Sequence, residues 1–327
     1  MTIVVWPLDD DETQPLMLRI PRHWIGPIAA AAGDVPVIGA AGIDDAAAAA
    51  SDATGWIGAL APELLDRAPK LRWLQAPTIS LEALQFPELE SSDVVVTNMR
   101  NIYDDHIANH VIALLLAHCR QLPRFFRQQL RHEWSSGYVD NRAIDPADLT
   151  VLIQGLGGIG SELARRLTVF GPHVIGVDPQ AEAAPQGVHE LARPHQLDEL
   201  LGRADVVVVA APQTPETIGS WGEPRFRAMR EGAYFINIAR GPMVHLDALE
   251  RALIEGWIGG AALDVTDPEP LPADSALWTM DNVLITPHSA GAGPGTDQRR
   301  LDVVTDNVGR FVSGTPLRNV ADLARGY

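Results

Sequence analysis

The sequence predicts an α/β fold in which a Rossmann doubly wound parallel sheet is joined to a smaller α/β domain. Three observations predict it. Residues 150–178 spell a βαβ unit around a glycine-rich turn. Short apolar runs alternate with helical or turn segments along the whole chain. Three of the later runs end in polar clusters, at the strand ends where open parallel sheets hold ligands.

The βαβ unit carries the most information. Val151 to Ile153 reads as a buried strand, followed by G-x-G-x-x-G as Gly155, Gly157 and Gly160. Ile159, Leu163, Leu167 and Phe170 then recur at helical spacing, and Gly171-Pro172 stops the helix. A second apolar strand, Val174 to Val177, ends in Asp178. Gly155 permits a tight turn, Gly157 lets the backbone approach a pyrophosphate, and Gly160 lets helix and strand pack closely. The helix N-terminus offers free N–H groups and a positive dipole end to phosphates. Asp178 stands where a carboxylate accepts hydrogen bonds from ribose hydroxyls and repels a 2′-phosphate. At about 4 Å each unit charge pair costs roughly 1 kcal/mol in water and about 4 at an effective dielectric of 20. That favours NAD over NADP by about one to three decades. A bare glycine turn is the rival reading, and it explains neither the flanking strands nor the terminal acid.

Residues 1–100 read as a small parallel α/β domain, with strands at 3–6, 35–38, 56–60, 71–74 and 94–97. The alanine run at 46–50 reads as helix surface. A long helical pattern follows at 104–134, with Ile107, Val111, Leu114, Leu115 and Cys119 on one face and Pro123 as a break. Its second half, 124–131, is basic and amphipathic, a solvated or partner-facing arm. After the βαβ unit come strands at 206–210, 234–238, 260–263 and 283–285, with a helix at 247–255 among the connections. A helix at 299–311 and an extended end, 316–327, close the chain and can cross back onto the first domain. Trp134, Trp257 and Trp278 read as core or interface anchors.

Composition excludes several function classes. Net charge is −17 in 327 residues, which argues against nucleic acid and anionic membrane surfaces as partners. An anionic substrate then needs a local basic residue. The lone Cys119 leaves no internal disulfide and no C-x-x-C site. The N-terminus turns acidic at once and has no basic leader pattern, so a cytoplasmic protein is expected. His106 and His110 have i, i+4 spacing, but no third ligand accompanies them, so no metal is expected. One packing and one surface histidine is the simpler reading.

The polar clusters are Asn237-Ile238-Ala239-Arg240-Gly241, residues 264–270 with Asp264 and Glu269, and Thr286-Pro287-His288-Ser289. They supply what carbonyl reduction needs. A histidine acts as general acid near neutral pH. A glutamate beside it fixes its orientation. An arginine clamps a carboxylate in two-point fashion.

These motifs resemble the D-isomer-specific 2-hydroxyacid dehydrogenase family, from about Leu71 to the end. Val94-Val95-Val96-Thr97-Asn98 resembles the family's strand and crossover. Ile107-Ala108-Asn109-His110 and the following Ala113-Leu114-Leu115-Leu116 resemble its I-A-E-H-x-x-A-L-L-L helix. Pro212-Gln213-Thr214-Pro215-Glu216-Thr217 resembles P-x-T-P-E-T, and Gly314 to Val320 resembles G-x-P-L-x-N-V.

The resemblance implies a substrate domain of flavodoxin-like α/β type, discontinuous over 1–100 and 297–327, and an NAD-binding domain over 101–296. It implies that Arg240 binds the substrate carboxylate, that Glu269 pairs with His288, and that His288 passes the proton. Gly158 and Ile159 would meet the pyrophosphate, and Asp264 would lie near the nicotinamide carboxamide. Pro212, Thr217, Ile238 and Ala239 fall in the cofactor loops. Thr78, Ile79 and Ser80 align with a loop whose backbone N–H groups hold the carboxylate. The implied reaction is NAD-dependent exchange of hydride between the cofactor and a small D-2-hydroxy or 2-keto acid, run as a reductase by a homodimer joined partly through residues 101–140. The alternative is a non-enzymatic NAD-sensing scaffold, as in the family's corepressor relatives. Ser80 and Asn101 stand where the family has glycine, Asn109 where it has glutamate, and His245 departs from a usual V-D. These departures bear on substrate identity.

Overall fold

The computed structural model describes residues 1–9, 20–134, 143–323 and 325–326. The chain divides into two compact units, Met1–Ile102 with Gly293–Tyr327, and Tyr103–Ala292.

The first unit alternates strand and helix. In order come β1 (Ile3–Trp6), α1 (Ile25–Ala32), β2 (Val37–Gly39), α2 (Ile43–Ala50), β3 (Gly55–Gly58), α3 (Pro62–Leu65), β4 (Trp73–Gln75), α4 (Pro87–Glu90) and β5 (Val95–Thr97). The strands pair in parallel in the order β2-β1-β3-β4-β5, the flavodoxin-like order. Observed strand ends differ from the expected ones by up to two residues, because apolar runs continue into the turns. The alanine run is not simply helix surface: Ala46 and Ala50 are fully buried in the core with Trp56, Leu64 and Leu74. A last helix, α11 (Thr296–Ser313), packs against α1. Its Asn307 is wholly buried and donates to Gln75 Oε1 at 2.9 Å. Thr97 donates to the same oxygen at 2.9 Å, and Trp73 Nε1 donates to Thr97 at 2.9 Å. This chain of satisfied polar groups registers α11 against β4 and β5. Arg318 N donates to Asn307 Oδ1 at 2.8 Å, which returns the tail to the sheet edge, where Val320 bridges Thr97.

The second unit opens with α5 (Asp104–Cys119) and α6 (Leu122–Leu130). The long helical pattern breaks, but ahead of the expected Pro123, at Gln121, whose φ is 57°. Pro123 instead sits in the first turn of α6, where its missing N–H costs nothing. Residues 135–142, the end of the expected arm, lie outside the described residues. Then follow β6 (Thr150–Gln154), α7 (Gly158–Leu167), β7 (His173–Val177), β8 (Glu190–Ala192), α8 (Leu197–Leu200), β9 (Val206–Val209), α9 (Glu223–Ala228), β10 (Tyr234–Asn237), α10 (Leu246–Ile254), β11 (Gly260–Leu263) and β12 (Val283–Ile285). The sheet is parallel, in the order β12-β11-β10-β9-β6-β7-β8. Strand order therefore reverses between β6 and β9, and ligands of such sheets bind outside the strand ends at that point. The valines of β9 are all buried, as a strand covered on both faces requires. β8 has no apolar run to announce it. Trp221, Phe226 and Phe235 form an aromatic cluster under the sheet, with ring centroids 4.8 to 5.9 Å apart.

The tryptophans chosen from sequence are not core residues. Trp134 is 98% exposed and Trp278 47% exposed, while Trp257 is only partly buried, stacked under Arg227 at 3.6 Å. The buried ones are Trp24, Trp56, Trp73 and Trp221. No described helix is long and apolar enough to cross a membrane.

Candidate active site

The glycine turn closes as its spacing requires. Gly155 has φ of +97°, and a Cβ there would fall 2.7 Å from the backbone of Ala211. A Cβ on Gly160 would fall 1.9 Å from the carbonyl oxygen of Gly155, so only glycine lets α7 approach β6 this closely. Gly157 and Gly158 are exposed and Ile159 is half-buried at the N-terminus of α7. That open end, with its N–H groups and positive dipole, fits a pyrophosphate. Asp178 sits at the end of β7. Its Oδ2 accepts from Leu156 N at 2.8 Å, and its Oδ1 accepts from Gln180 N at 2.7 Å and Ala181 N at 2.8 Å. Three of about four acceptor sites of the carboxylate are thus taken by backbone. These backbone donors hold the carboxylate in place at the strand end.

The loops after β9 and β10 are braced by their own side chains. Thr217 Oγ1 donates to Pro212 O at 2.8 Å and accepts from Thr214 N at 2.7 Å, closing that turn. Buried Asn237 accepts from Ala239 N at 3.0 Å and donates to Arg240 O at 3.1 Å. It fixes the bend through Ile238 and Ala239, both buried, from which Arg240 emerges half-buried.

His288 follows β12. Its Nδ1 lies 2.8 Å from Glu269 Oε2, and Glu269 Oε1 accepts from Thr266 N at 3.1 Å. The other imidazole nitrogen, Nε2, is thereby the one left to serve a substrate. The side chains of His288 and Glu269 are 41% and 38% exposed, so the pair is open to a ligand. The backbone of His288 has φ of 49°, a strained value for a side chain of that size. Asp264, 3% exposed, is bonded to this loop at several points. Its carboxylate accepts from Thr286 Oγ1 at 2.6 Å, Ser289 N at 2.9 Å and Ala290 N at 3.0 Å, and its carbonyl accepts from His288 N at 2.8 Å. Asp264 is therefore the strut of the loop that aims the imidazole.

The sequence named both His110 and Thr286 but gave no sign that they support that strut together. His110 Nε2 lies 3.0 Å from Thr286 Oγ1 and 3.7 Å from Asp264 Oδ1. It is 21% exposed and bonded, so it is not the surface histidine expected of this pair. The sequence held a signal, the I-A-N-H pattern on α5, but nothing in one helix points to a partner 176 residues away.

In the first unit, Thr78, Ile79 and Ser80 form a loop pinned by its carbonyls. Thr78 O accepts from Met99 N at 3.1 Å, Ile79 O from Asn98 Nδ2 at 3.0 Å, and Ser80 O from Thr78 Oγ1 at 3.0 Å. Ser80 Oγ donates to Glu82. Asn101, at a position where the family has glycine, adopts φ of 70°.

This geometry has counterparts in known proteins. Residues 112–290 match the family model described as "D-isomer specific 2-hydroxyacid dehydrogenase, NAD binding domain". A glyoxylate reductase from Thermofilum pendens is 32% identical over 254 residues, covering 77% of this chain and 75% of the relative. A D-isomer specific 2-hydroxyacid dehydrogenase from Xanthobacter autotrophicus Py2, solved with NADPH and MES, superposes with a TM-score of 0.82 at 30% identity, covering 100% of this chain and 99% of that one. An NADPH-dependent glyoxylate/hydroxypyruvate reductase from Sinorhizobium meliloti, solved with NADP and sulfate, gives 0.83 at 28% identity, covering 100% of both chains. These relatives bear enzyme names and lend no support to the scaffold alternative. The chain belongs to the D-isomer specific 2-hydroxyacid dehydrogenase family, and its activity is the nicotinamide-dependent interconversion of a 2-keto acid and a 2-hydroxy acid.

Proposed function

We propose that this chain reduces a small 2-keto acid to the D-2-hydroxy acid, with NADH preferred over NADPH and His288 as the proton donor. The single observation that carries the reading is the His288–Glu269 pair at 2.8 Å, on a loop held by buried Asp264 at the carboxyl end of the cofactor-binding sheet. When bound, the nicotinamide supplies the hydride. Glu269 holds Nδ1, so Nε2 faces the substrate and delivers the proton to the carbonyl oxygen as it gains charge. Arg240 grips the carboxylate and polarises the neighbouring carbonyl, the local cation that a chain of net charge −17 needs. Asp264 acts through the loop, as a positioning residue for His288 and its neighbours. We assign Thr78, Ile79 and Ser80 to substrate recognition, with Ser80 as the departure from the family's glycine.

The names of the relatives favour glyoxylate and hydroxypyruvate as first substrates to test. Asp178 favours NADH, although two structural neighbours were solved with NADPH or NADP. The exposed apolar side chains of Phe126, Leu130 and Trp134 favour a homodimer through α6. A panel of 2-keto acids assayed with NADH and with NADPH tests the reading. Turnover of glyoxylate or hydroxypyruvate with NADH supports it. No turnover of any 2-keto acid with either cofactor contradicts it.

A further inference from the structure

The N-terminus of α5 places a carboxylate on the phosphate-binding turn. A methyl group added at Gly158 would lie 2.2 Å from Asp104 Oδ2, 2.7 Å from its Cγ and 2.9 Å from its Oδ1. The side chain of Asp104 therefore covers one face of Gly158, the first residue of α7. Helices α5 and α7 pack along each other, so this approach is set by the helix pair rather than by a loose loop. Asp104 is half-buried, and its carboxyl is held above the usual range by burial, then by the neighbouring charges of Asp105 and Glu162. The nearby cations of α7 are already engaged. Glu162 is bound by Arg165 at 2.7 Å and Arg166 at 2.6 Å, and Arg166 also reaches Asn109. The mechanism above makes no use of Asp104, and a carboxylate is an odd companion for a turn that receives a diphosphate.

We infer that Asp104 is a built-in electrostatic opponent of the dinucleotide pyrophosphate, a residue that sets cofactor affinity low rather than high. The inference rests on the assignment of the pyrophosphate to the turn at Gly157, Gly158 and Ile159. A like charge beside the phosphates weakens every ligand carrying them, oxidised or reduced, and so keeps the cofactor exchangeable between turnovers. Its isosteric amide keeps the packing against Gly158 and removes the charge. Partial desolvation makes one such charge worth on the order of tenfold in affinity.

The test is calorimetric titration of the full chain with NADH and with ADP-ribose, which carries the pyrophosphate without the nicotinamide. Asp104→Asn should tighten both by about tenfold, and the gain should shrink as salt is raised. Asp105→Asn, one residue along the same helix, controls for net charge and should leave both affinities where they were. Asp104→Ser, a good residue for a helix start, repeats the test should the amide perturb folding. Unchanged or weaker binding in Asp104→Asn and Asp104→Ser overturns the inference while leaving the dehydrogenase reading intact. An equal gain from Asp105→Asn also overturns it, by reducing the effect to net charge. Failure of the native chain and all variants to bind either ligand overturns the pyrophosphate assignment and the inference together.

Discussion

At the scale of single residues, chemistry is divided between groups that touch the reactants and groups that aim them. The proposed reading puts Arg240 in the first kind. Arg240→Ala should lower kcat/KM for the keto acid by about a hundredfold or more while NADH binding persists, since hydrogen bonds to charged groups are worth about 1.5–3 kcal/mol each. Steady-state kinetics beside an NADH titration checks this, and unchanged kinetics would remove Arg240 from the site. On the proposed reading, Asp178 sets cofactor choice through its charge. Asp178→Asn should reduce the preference for NADH over NADPH by about tenfold or more, read as the ratio of the two kcat/KM values. An unchanged ratio would show that the preference lies elsewhere. The pairing of His288 with Glu269 was legible in the sequence because His288 closely follows β12 and Glu269 lies in the polar stretch after β11, where polar residues after an apolar run have few structural explanations. The bond between His110 and Thr286 was not legible, because it joins α5 to the end of β12, and sequence periodicity reports only local neighbours.

At the scale of elements, the close approach of α7 to β6 is the feature on which the cofactor turn depends. Gly160→Ala would push a methyl group into the carbonyl of Gly155, only 1.9 Å away. Overpacking of this kind costs about 1–3 kcal/mol. The variant should show a lower denaturation midpoint and weaker NADH binding, and an unaltered midpoint would mean that the turn adapts without cost. Helix α6 makes a different prediction. Its Leu130 is 82% exposed and Phe126 56% exposed, and Trp134 just beyond it is 98% exposed. Leu130→Asp combined with Trp134→Ser should shift the native mass by light scattering from dimer to monomer. A native chain that is already monomeric would contradict the assigned role of this arm. Buried parallel strands such as β9 and β10 were legible as continuous apolar runs because both faces are covered. The edge strand β8 was not, since Glu190 and Leu191 remain half-buried at the rim. The helix break at Gln121 was visible only through Pro123, two residues late.

At the scale of the whole molecule, stability carries a pH dependence that comes from the interior of the second unit. His118 stacks on Tyr234 with ring centroids 3.8 Å apart, and burial pushes its pKa down from 6.5 to about 4. The unfolded chain therefore binds more protons than the folded chain between these values. Stability falls as pH drops below about 6.5, and this contribution is fully lost below about 4, at a cost of about 3 kcal/mol at most. His118→Phe keeps the stacked ring and removes the titration. Denaturant melts of the two proteins should converge in slope above pH 6.5 and diverge below it, with the variant the less acid-sensitive. Parallel curves down to low pH would contradict this origin. The general architecture was legible in the sequence because glycine spacing, apolar runs and strand-end polar residues all follow from local rules. The identity of the core tryptophans was not, because burial of a single large ring is decided by distant packing.

The most direct measurement of the central claim compares the native chain with His288→Ala, following NADH oxidation by glyoxylate together with NADH affinity. Loss of a general acid costs about 10²–10⁴ in rate, so turnover should fall by that factor while NADH binds as before. Retained turnover would contradict the claim that His288 delivers the proton, and an equal loss of turnover and NADH binding would make His288 a structural residue.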